Sequence, residues 1–183
     1  MLKILQQIRR TGIVTEAAPP AGEAADGGDG PGPRDDLASG ILAIMGRALC
    51  IRAVDAGSCN GCELEMQALI NPIYNIEGRG IRFVASPRHA DLLLVTGPVS
   101  RHMERALQRT YAATADPKLV VALGDCGCTG GIFGESAASL GRVANVIPVD
   151  VAIPGCPPSP TRILSGILAA ISSPRAARHF GST

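Results

Sequence analysis

Hydrophobic residues along the chain fall either in short continuous runs or at helical spacing from about residue 51 onward. Runs rich in Val, Ile and Leu predict five strands, IRAVDA, IRFVAS, ADLLLVTG, KLVVALG and VIPVDVAI. Apolar residues three or four apart predict three helices, CELEMQALI, SRHMERALQRTYAATA and SPTRILSGILAAI. Near-continuous apolar strands separated by helices indicate a parallel sheet that is covered on both faces. The pattern therefore predicts a three-layer, flavodoxin-like α/β domain.

The two ends of the chain depart from this central pattern. Residues 1–16 carry apolar side chains on one helical face and Lys, Gln and Arg on the other, which predicts an amphipathic helix that docks onto a partner or a membrane surface. Residues 17–36 are mainly Pro, Gly, Ala and acidic residues, a composition that predicts a flexible linker. We therefore expect the α/β domain at 37–175 and a C-terminal tail at 176–183.

Composition excludes several classes of function. The 17 basic and 16 acidic residues nearly cancel, so the chain lacks the electrostatic footprint of a nucleic-acid-binding protein. No apolar run approaches the ~18 residues of a membrane-spanning helix. The residues after Arg9 and Arg10 also lack the apolar region and cleavage context of an export signal. We expect a cytoplasmic chain without signal peptide or transmembrane helix, in a compartment where structural disulfides are rare.

Six cysteines in a reducing compartment indicate metal binding or redox chemistry. Four of them follow predicted strands: Cys59 and Cys62 come after the first strand, Cys126 after the fourth and Cys156 after the fifth. The carboxyl ends of parallel strands meet at one edge of an open sheet, which is where ligands bind. We therefore expect these four thiols to converge, although they lie far apart in the sequence.

Three kinds of thiol site are compatible with this spacing. Thiolates select zinc or iron–sulfur clusters, and a Cys-x-x-Cys pair can also act as a redox-active dithiol. A zinc ribbon normally supplies two tight cysteine pairs, whereas this chain has one pair and two ligands from separate loops. Small flanking residues let a bulky cluster approach the backbone. The pattern favours a 4Fe–4S cluster over zinc, and a dithiol leaves Cys126 and Cys156 unexplained.

Four motifs, in order along residues 45–172, carry a resemblance to a known family: GSCNGCELE, SPRHADLLLVTGPVS, ALGDCGCTGGIF and IPGCPPSPTRIL. They resemble the family shared by the small subunit of membrane-bound group 4 NiFe hydrogenases, including formate hydrogenlyase, and the B subunit of respiratory complex I, an NADH-quinone oxidoreductase. The resemblance implies one 4Fe–4S cluster, held by Cys59, Cys62, Cys126 and Cys156 beside the active site of a large subunit. Glu65 matches a carboxylate associated with proton-coupled chemistry in the complex I branch.

Several other residues have plainer interpretations. Glu63 and Glu65 are equally compatible with first-turn acids favoured by the helix dipole. Cys50 is interpreted as a small buried apolar residue and Cys128 as a bystander in a Gly-rich loop. In the SPRHAD motif, Arg88 and His89 are expected to form a structural hydrogen bond or a partner contact, and Asp91 to order its turn.

The spacing Cys-Asn-Gly-Cys, in place of the adjacent cysteines of the complex I branch, favours the hydrogenase side. The resemblance then implies an electron-transfer subunit of an oxidoreductase that performs no bond chemistry itself. Its implied partners are a NiFe-hydrogenase-type large subunit, a ferredoxin-like iron–sulfur subunit and an integral membrane subunit that the N-terminal helix meets. The implied place is the cytoplasmic side of the inner cell membrane. A complex I-like assembly that reduces quinone, and a zinc-stabilised structural or assembly protein, remain as alternatives.

Overall fold

A computed structural model describes residues 41–43 and 45–173, together with Gln6, Arg9 and Arg10. Those three N-terminal residues are helical and exposed. The rest of the predicted helix at 1–16, the linker at 17–36 and the C-terminal tail at 176–183 lie outside the described residues. Within the described ranges, no helix combines the length and the apolar character needed to cross a bilayer.

Five parallel strands form the centre of the domain, in the spatial order β2-β1-β3-β4-β5. The strands are β1 (Leu49–Asp55), β2 (Ile81–Phe83), β3 (Leu92–Thr96), β4 (Leu119–Leu123) and β5 (Val151–Ile153). The strand order reverses direction at β1 and β3, whose carboxyl ends pair Asp55 with Thr96. Such a reversal creates the crevice in which open α/β sheets bind ligands. The predicted flavodoxin-like parallel sheet is confirmed.

Helices cover both faces of this sheet. They are α1 (Gly61–Ala68), α2 (Arg101–Ala113), α3 (Gly124–Thr129) and α4 (Pro160–Ile171), and short 3-10 helices occur at Glu77–Arg79, Pro87–His89 and Val143–Asn145. Side chains alternate across β3, so Leu92 and Leu94 pack in the layer that contains α1 and α4. Leu93 and Val95 pack on the opposite face with Leu107 of α2. The core is therefore two aliphatic layers separated by one sheet.

The two long helices begin where the sequence indicates. The Ser100 side chain accepts a hydrogen bond from the Met103 N–H, and Ser159 accepts one from the Arg162 N–H, so each serine caps its helix. Pro160 occupies the first turn of α4, where its missing N–H costs no hydrogen bond. These caps fix both helices against the sheet at the edge where the strands end.

The segment after β4 departs from the expected Gly-rich loop. It forms the short helix α3, so Cys126 and Cys128 are helical residues. A backbone bridge explains the difference: the Asp125 N–H donates to the Gly155 carbonyl at 2.9 Å, and the Gly155 N–H donates to Asp125 Oδ1 at 2.8 Å. These bonds join residues 30 positions apart. The helix therefore depends on a tertiary contact that no local pattern reveals.

Asp91 orders the start of β3. Its carboxylate accepts two hydrogen bonds from the Arg47 guanidinium, at 3.0 and 2.6 Å, and one from the Cys50 N–H at 3.0 Å. Asp91 is buried, and such charge-assisted bonds stabilise a buried carboxylate. This agrees with the structural interpretation of Asp91.

Candidate metal centre

Three chain segments bring cysteines to the carboxyl edge of the sheet. Cys59 and Cys62 lie in the β1–α1 connection and the start of α1, Cys126 lies in α3 after β4, and Cys156 lies between β5 and α4. Each of the six cysteines, all within the described residues, is a free thiol. Cys59 and Cys156 are exposed, whereas Cys62 and Cys126 are half-buried. The structure thus gathers the predicted ligands at one edge.

Close contacts through glycines show how tightly these segments pack. A Cβ atom placed on Gly124 would lie 2.6 Å from the Cys62 sulfur and 3.4 Å from the Gly155 carbonyl oxygen. A Cβ on Gly61 would lie 3.5 Å from the Cys59 sulfur and 3.9 Å from Pro157. Residue 124 therefore has to lack a side chain for the Cys62 sulfur to rest against the start of α3.

The thiols also interact electrostatically. Burial first, and then the negative charges of Glu63 and of the other three thiols, raise the pKa of Cys62 to about 12. Burial likewise raises the pKa of Cys126, with Cys156 and Cys59 as the next causes. Cys62 therefore stays protonated at neutral pH in the protein alone, and a bound cation would displace that proton.

Short polar contacts shape the loop before the first cysteine pair. Asp55 Oδ1 accepts hydrogen bonds from the Gly57 and Ser58 N–H groups, each at 2.8 Å. The Ser58 hydroxyl then accepts one from the Asn60 N–H at 3.1 Å, and Asn60 adopts a left-handed conformation with φ of 71°. Asparagine tolerates this conformation better than most residues do. The loop is thus held by its own side chains.

The donor set can be compared with two kinds of metal centre. Among the residues that the structure describes, no three His, Cys, Asp or Glu side chains lie close enough to hold a single metal ion. A tetrahedral zinc site needs its sulfur ligands ~2.3 Å from one ion. A 4Fe–4S cluster takes each thiolate on a different iron atom and so accepts a wider spacing. Four soft thiolates from three segments fit a cluster of this kind.

Glu63 is a half-buried carboxylate beside this edge. One of its oxygens accepts a hydrogen bond from the Thr96 hydroxyl, and the other is buried without a hydrogen-bond partner. Glu65 is half-buried and forms no hydrogen bond with any described residue. The sequence predicted that both acids lie in the first turns of α1, but it did not indicate which of them would contact the sheet. Thr96 is the one polar residue of the apolar strand LLLVT and ends it, and this was the available sequence signal for its role.

A cavity of about 250 Å³ lies next to Glu63. Arg52 also lines this cavity, and its Nε atom, like one Glu63 oxygen, is buried without a hydrogen-bond partner. One arginine in a strand is an ordinary surface pattern, so Arg52 does not stand out in the sequence. The lining residues are Arg52, Ala53, Glu63, Met66, Gln67, Ile70, Phe83 and Val84.

Other candidate residues lie apart from the thiols. The Cys128 sulfur donates to the Ala122 carbonyl at 3.5 Å, packs in the layer below α2, and has its pKa raised to about 11 by burial. Cys50 is half-buried in β1. Arg88 and His89 are exposed in the 3-10 helix that precedes β3, at the opposite edge of the sheet. The structure therefore does not bring these four residues into the thiol site.

Together, an open parallel sheet and a thiol-lined carboxyl edge define a flavodoxin-like α/β protein with a candidate thiolate metal centre. The chain matches the sequence model described as "NADH ubiquinone oxidoreductase, 20 Kd subunit" over residues 59–170, and it belongs to this family. This confirms the family that the cysteine motifs indicated.

Relatives from both branches of the family are similar to this chain. A probable membrane-bound hydrogenase subunit of Pyrococcus furiosus is 45% identical over 131 residues, which cover 72% of this chain and 78% of the relative. Formate hydrogenlyase subunit 7 of Escherichia coli is 42% identical over 74% of this chain, which spans only 53% of that protein. The B subunit of an NADH-quinone oxidoreductase from Desulfovibrio desulfuricans is 41% identical over 69% of this chain and 68% of its own length. These relatives are subunits of oxidoreductases.

Solved structures agree with the fold. A chain of a membrane-bound sulfane sulfur reductase, described as an archaeal respiratory membrane complex, aligns with a TM-score of 0.58 and 37% identity over 66% of this chain and 67% of that chain. A chain of an NAD⁺-reducing [NiFe]-hydrogenase aligns with a TM-score of 0.53 over 67% of this chain and 92% of that chain. At 19% identity, the second likeness concerns the fold alone.

Proposed function

We propose that this chain is the electron-transfer subunit of a membrane-bound oxidoreductase complex and carries one 4Fe–4S cluster on Cys59, Cys62, Cys126 and Cys156. One observation carries the proposal: four free thiols from three segments meet at one edge, where the other three contribute to the raised pKa of Cys62. A shared site of this kind matches the chemistry of thiolate-ligated clusters.

When bound, the cluster would accept and release one electron at a time. The chain's own residues position and shield it. Cys62 and Cys126 are half-buried, so their side of the site excludes more water than the side of Cys59 and Cys156. The hydrogen bonds between Asp125 and Gly155 hold the third and fourth ligands in a fixed relation. The chain thus supplies a rigid frame and performs no bond chemistry.

The partner we propose is a NiFe-hydrogenase-type large subunit that covers the exposed thiols. Exposed apolar side chains near the thiols support the presence of such a covering subunit. Ile132 is 94% exposed and Phe133 is 54% exposed, and both directly follow Gly131, which contacts the Cys126 sulfur. Leu64 in α1 is 57% exposed. The Cys-x-x-Cys spacing and the two relatives named as hydrogenase or hydrogenlyase subunits favour the hydrogenase branch.

The further partners are a ferredoxin-like iron–sulfur subunit and an integral membrane subunit that contacts the N-terminal helix. This arrangement puts the chain at the cytoplasmic side of the inner membrane. It is supported by relatives from membrane-bound complexes and by the amphipathic pattern of residues 1–16.

A complex I-like reaction, in which the cluster passes electrons to quinone, is the second candidate. The cavity beside Glu63 favours it, because its lining is mostly apolar and includes the polar residues Arg52 and Glu63. A volume of about 250 Å³ exceeds the roughly 150 Å³ that admits benzene in an engineered core. The space is thus large enough for a single substituted ring.

Serine substitutions test the cluster ligands. We expect each of Cys59→Ser, Cys62→Ser, Cys126→Ser and Cys156→Ser to lose about four irons per complex relative to wild type, because a serine oxygen is a poor replacement for a soft thiolate. The measurements are iron and sulfide content and the absorption band near ~400 nm of protein isolated anaerobically with its partners.

Cys128→Ser and Cys50→Ser are the matched controls, since both thiols lie outside the proposed site. They should keep the iron content and the visible band of the wild-type complex. Full iron in Cys156→Ser would disprove the ligand assignment. A colourless wild-type protein that contains zinc would instead identify the zinc-stabilised structural protein.

Metal analysis of the whole complex separates the two branches. The complex is purified anaerobically through a tag on this chain, and its nickel and iron contents are measured together with hydrogen-dependent dye reduction. Nickel with hydrogen-dependent reduction supports the hydrogenase assignment. Iron without nickel, together with inhibitor-sensitive quinone reduction, would replace it with the quinone-reducing assignment.

A further inference from the structure

Helix α2 carries a row of three arginines and one histidine, which we call the basic stripe: Arg101, His102, Arg105 and Arg109. All four side chains are exposed. The arginines are spaced four residues apart and therefore lie along one side of the helix, with His102 beside them. At about 100° per residue, this side is roughly opposite Leu107, the buried residue that packs α2 on the sheet. The basic stripe thus faces away from the core.

Among the described residues, no acidic side chain pairs with the basic stripe. Within the part of the chain that the structure describes, the ion pairs are Arg47–Asp91 and Lys118–Asp116, and neither involves α2. The Arg101 guanidinium donates to the Ser136 carbonyl at 3.2 Å, a neutral acceptor. The whole chain has a net charge of only +1, so the stripe is a local concentration of charge rather than a general excess.

This arrangement works against helix stability. Like charges four residues apart repel each other, and Arg101 occupies the first turn of α2, where the helix dipole favours anions. Glu104 is the one acidic residue of the helix. A local feature that opposes folding without a compensating contact among the described residues indicates a role in binding.

The basic stripe begins beside the thiol edge. The Ser100 N–H, immediately before α2, donates to the Ala56 carbonyl at 2.8 Å, and Ala56 precedes Cys59 by three residues. From there the helix runs to the opposite edge, where it packs near the 3-10 helix that carries exposed Arg88. A molecule seated on the first half of the stripe would therefore border the loop of the first cysteine pair.

We propose that the basic stripe is the docking surface for an acidic electron-carrier protein. This inference rests on the proposed function, since it assigns a partner to the same cluster. In the transfer, the reduced carrier loses one electron and the oxidised cluster gains it, with no bond made or broken. Complementary charge steers such short-lived encounters and accelerates association more than it tightens the final complex.

An anionic membrane is the less favoured occupant. Helices that bind lipid surfaces insert large apolar side chains next to their cationic ones. Among the described residues, the exposed large apolar side chains all lie outside α2, at Leu42, Leu64, Ile70, Ile73, Ile132 and Phe133. A purely cationic face suits an acidic protein surface better than a bilayer.

Charge reversal of Arg105 and Arg109 tests the proposal in the purified complex. The probe is a reduced, acidic plant-type [2Fe–2S] ferredoxin, and stopped-flow absorption gives its second-order rate of electron transfer at several salt concentrations. We expect R105E/R109E to lower this rate about tenfold or more at low salt and to abolish its salt dependence.

Arg79→Glu/Arg82→Glu is the matched control, because it reverses two arginines at the β2 side of the sheet, one half-buried and one exposed. It should keep the wild-type rate within about twofold. An unchanged rate in R105E/R109E, or an equal loss in both variants, overturns the proposal. So does loss of flotation with phosphatidylglycerol vesicles in R105E/R109E at an unchanged ferredoxin rate, which would identify a membrane-binding surface.

Iron content and ferredoxin binding distinguish failure of the docking-surface proposal from failure of the cluster proposal. Binding is also measured by calorimetry, which needs no electron transfer. Full iron with binding and rate both insensitive to charge reversal refutes the docking surface and leaves the cluster proposal intact. Charge-sensitive binding to a wild-type complex that lacks a cluster refutes electron transfer through this chain while keeping the docking surface.

Discussion

Cys62 is the residue on which the thiol site converges. Its sulfur rests against the position that Gly124 leaves open, and the charges of Glu63 and the other three thiols of the proposed ligand set contribute to its raised pKa. A half-buried thiol with a pKa of about 12 is an unreactive group at neutral pH, which argues against a redox-active dithiol at this position. Its placement suits a ligand that becomes a thiolate only when metal binds.

Raised thiol pKa values predict how the stability of the metal-free chain depends on pH. Folding raises the pKa of Cys62 to about 12 and that of Cys128 to about 11, from 9.0. Below pH 9 both thiols are protonated in both states. Above it the unfolded chain loses protons first, which favours unfolding. We expect the free energy of unfolding, measured with urea, to fall as the pH rises from about 9 towards 11.

The double variant Cys62→Ser/Cys128→Ser isolates this contribution from that of lysines and tyrosines. Its free energy of unfolding should decrease less steeply over the same pH range, because serine does not titrate there. Equal slopes in the two proteins would mean that the folded thiols titrate as they do in the unfolded chain.

At the scale of elements, the first residue of α3 must be glycine because a side chain there would collide with a different segment of the chain. Gly124 adopts φ of 80° at the start of this helix and faces the Cys62 sulfur. Two requirements coincide there, a left-handed backbone and the absence of a side chain. The helix thereby joins β4, the first cysteine pair and the Gly155–Cys156 segment into one unit.

Gly124→Ala should destabilise the chain by roughly 2–4 kcal/mol, from backbone strain and from overpacking against sulfur. It should also reduce the iron content, because Cys62 must move to admit the added methyl group. Urea unfolding and iron analysis measure the two effects. Gly134→Ala is the control: Gly134 has φ of 52°, but a Cβ there would meet nothing within 4 Å. We expect it to cost about 1 kcal/mol and to leave the iron content unchanged.

At the scale of the whole molecule, the surface is divided into regions of different chemistry. The carboxyl edge of the sheet has exposed thiols at Cys59 and Cys156 and exposed apolar residues at Ile132 and Phe133. The outer face of α2 is cationic. One region therefore suits a permanent, desolvated interface, and the other suits a partner that is attracted by charge.

Ile132→Ser/Phe133→Ser tests whether the apolar edge is the interface with the large subunit. We expect the free energy of unfolding of the isolated chain to change by less than about 0.5 kcal/mol, because both side chains are exposed. Affinity for the large subunit should fall at least about tenfold, since buried apolar anchors dominate such interfaces. Pull-down titration with the purified large subunit measures this loss.

Ile73→Ser provides the comparison for that experiment. Ile73 is 72% exposed and follows α1, whose first residues are at the thiol edge and whose end is remote from it. Its substitution should leave the affinity unchanged. Full affinity in Ile132→Ser/Phe133→Ser would place the large subunit on a different surface.

The sequence by itself determined the five strands, the three longer helices, the serine caps of two of them, and the edge at which four cysteines meet. These features follow from apolar periodicity and capping, which act over a few residues, and from the direction that parallel strands impose on their loops. The tertiary structure alone decided the helical state of α3, the contact of Gly124 with the Cys62 sulfur, and which of two acids contacts Thr96. Each of these depends on a contact between groups about 30 or more residues apart, and local sequence patterns do not show which distant residues meet.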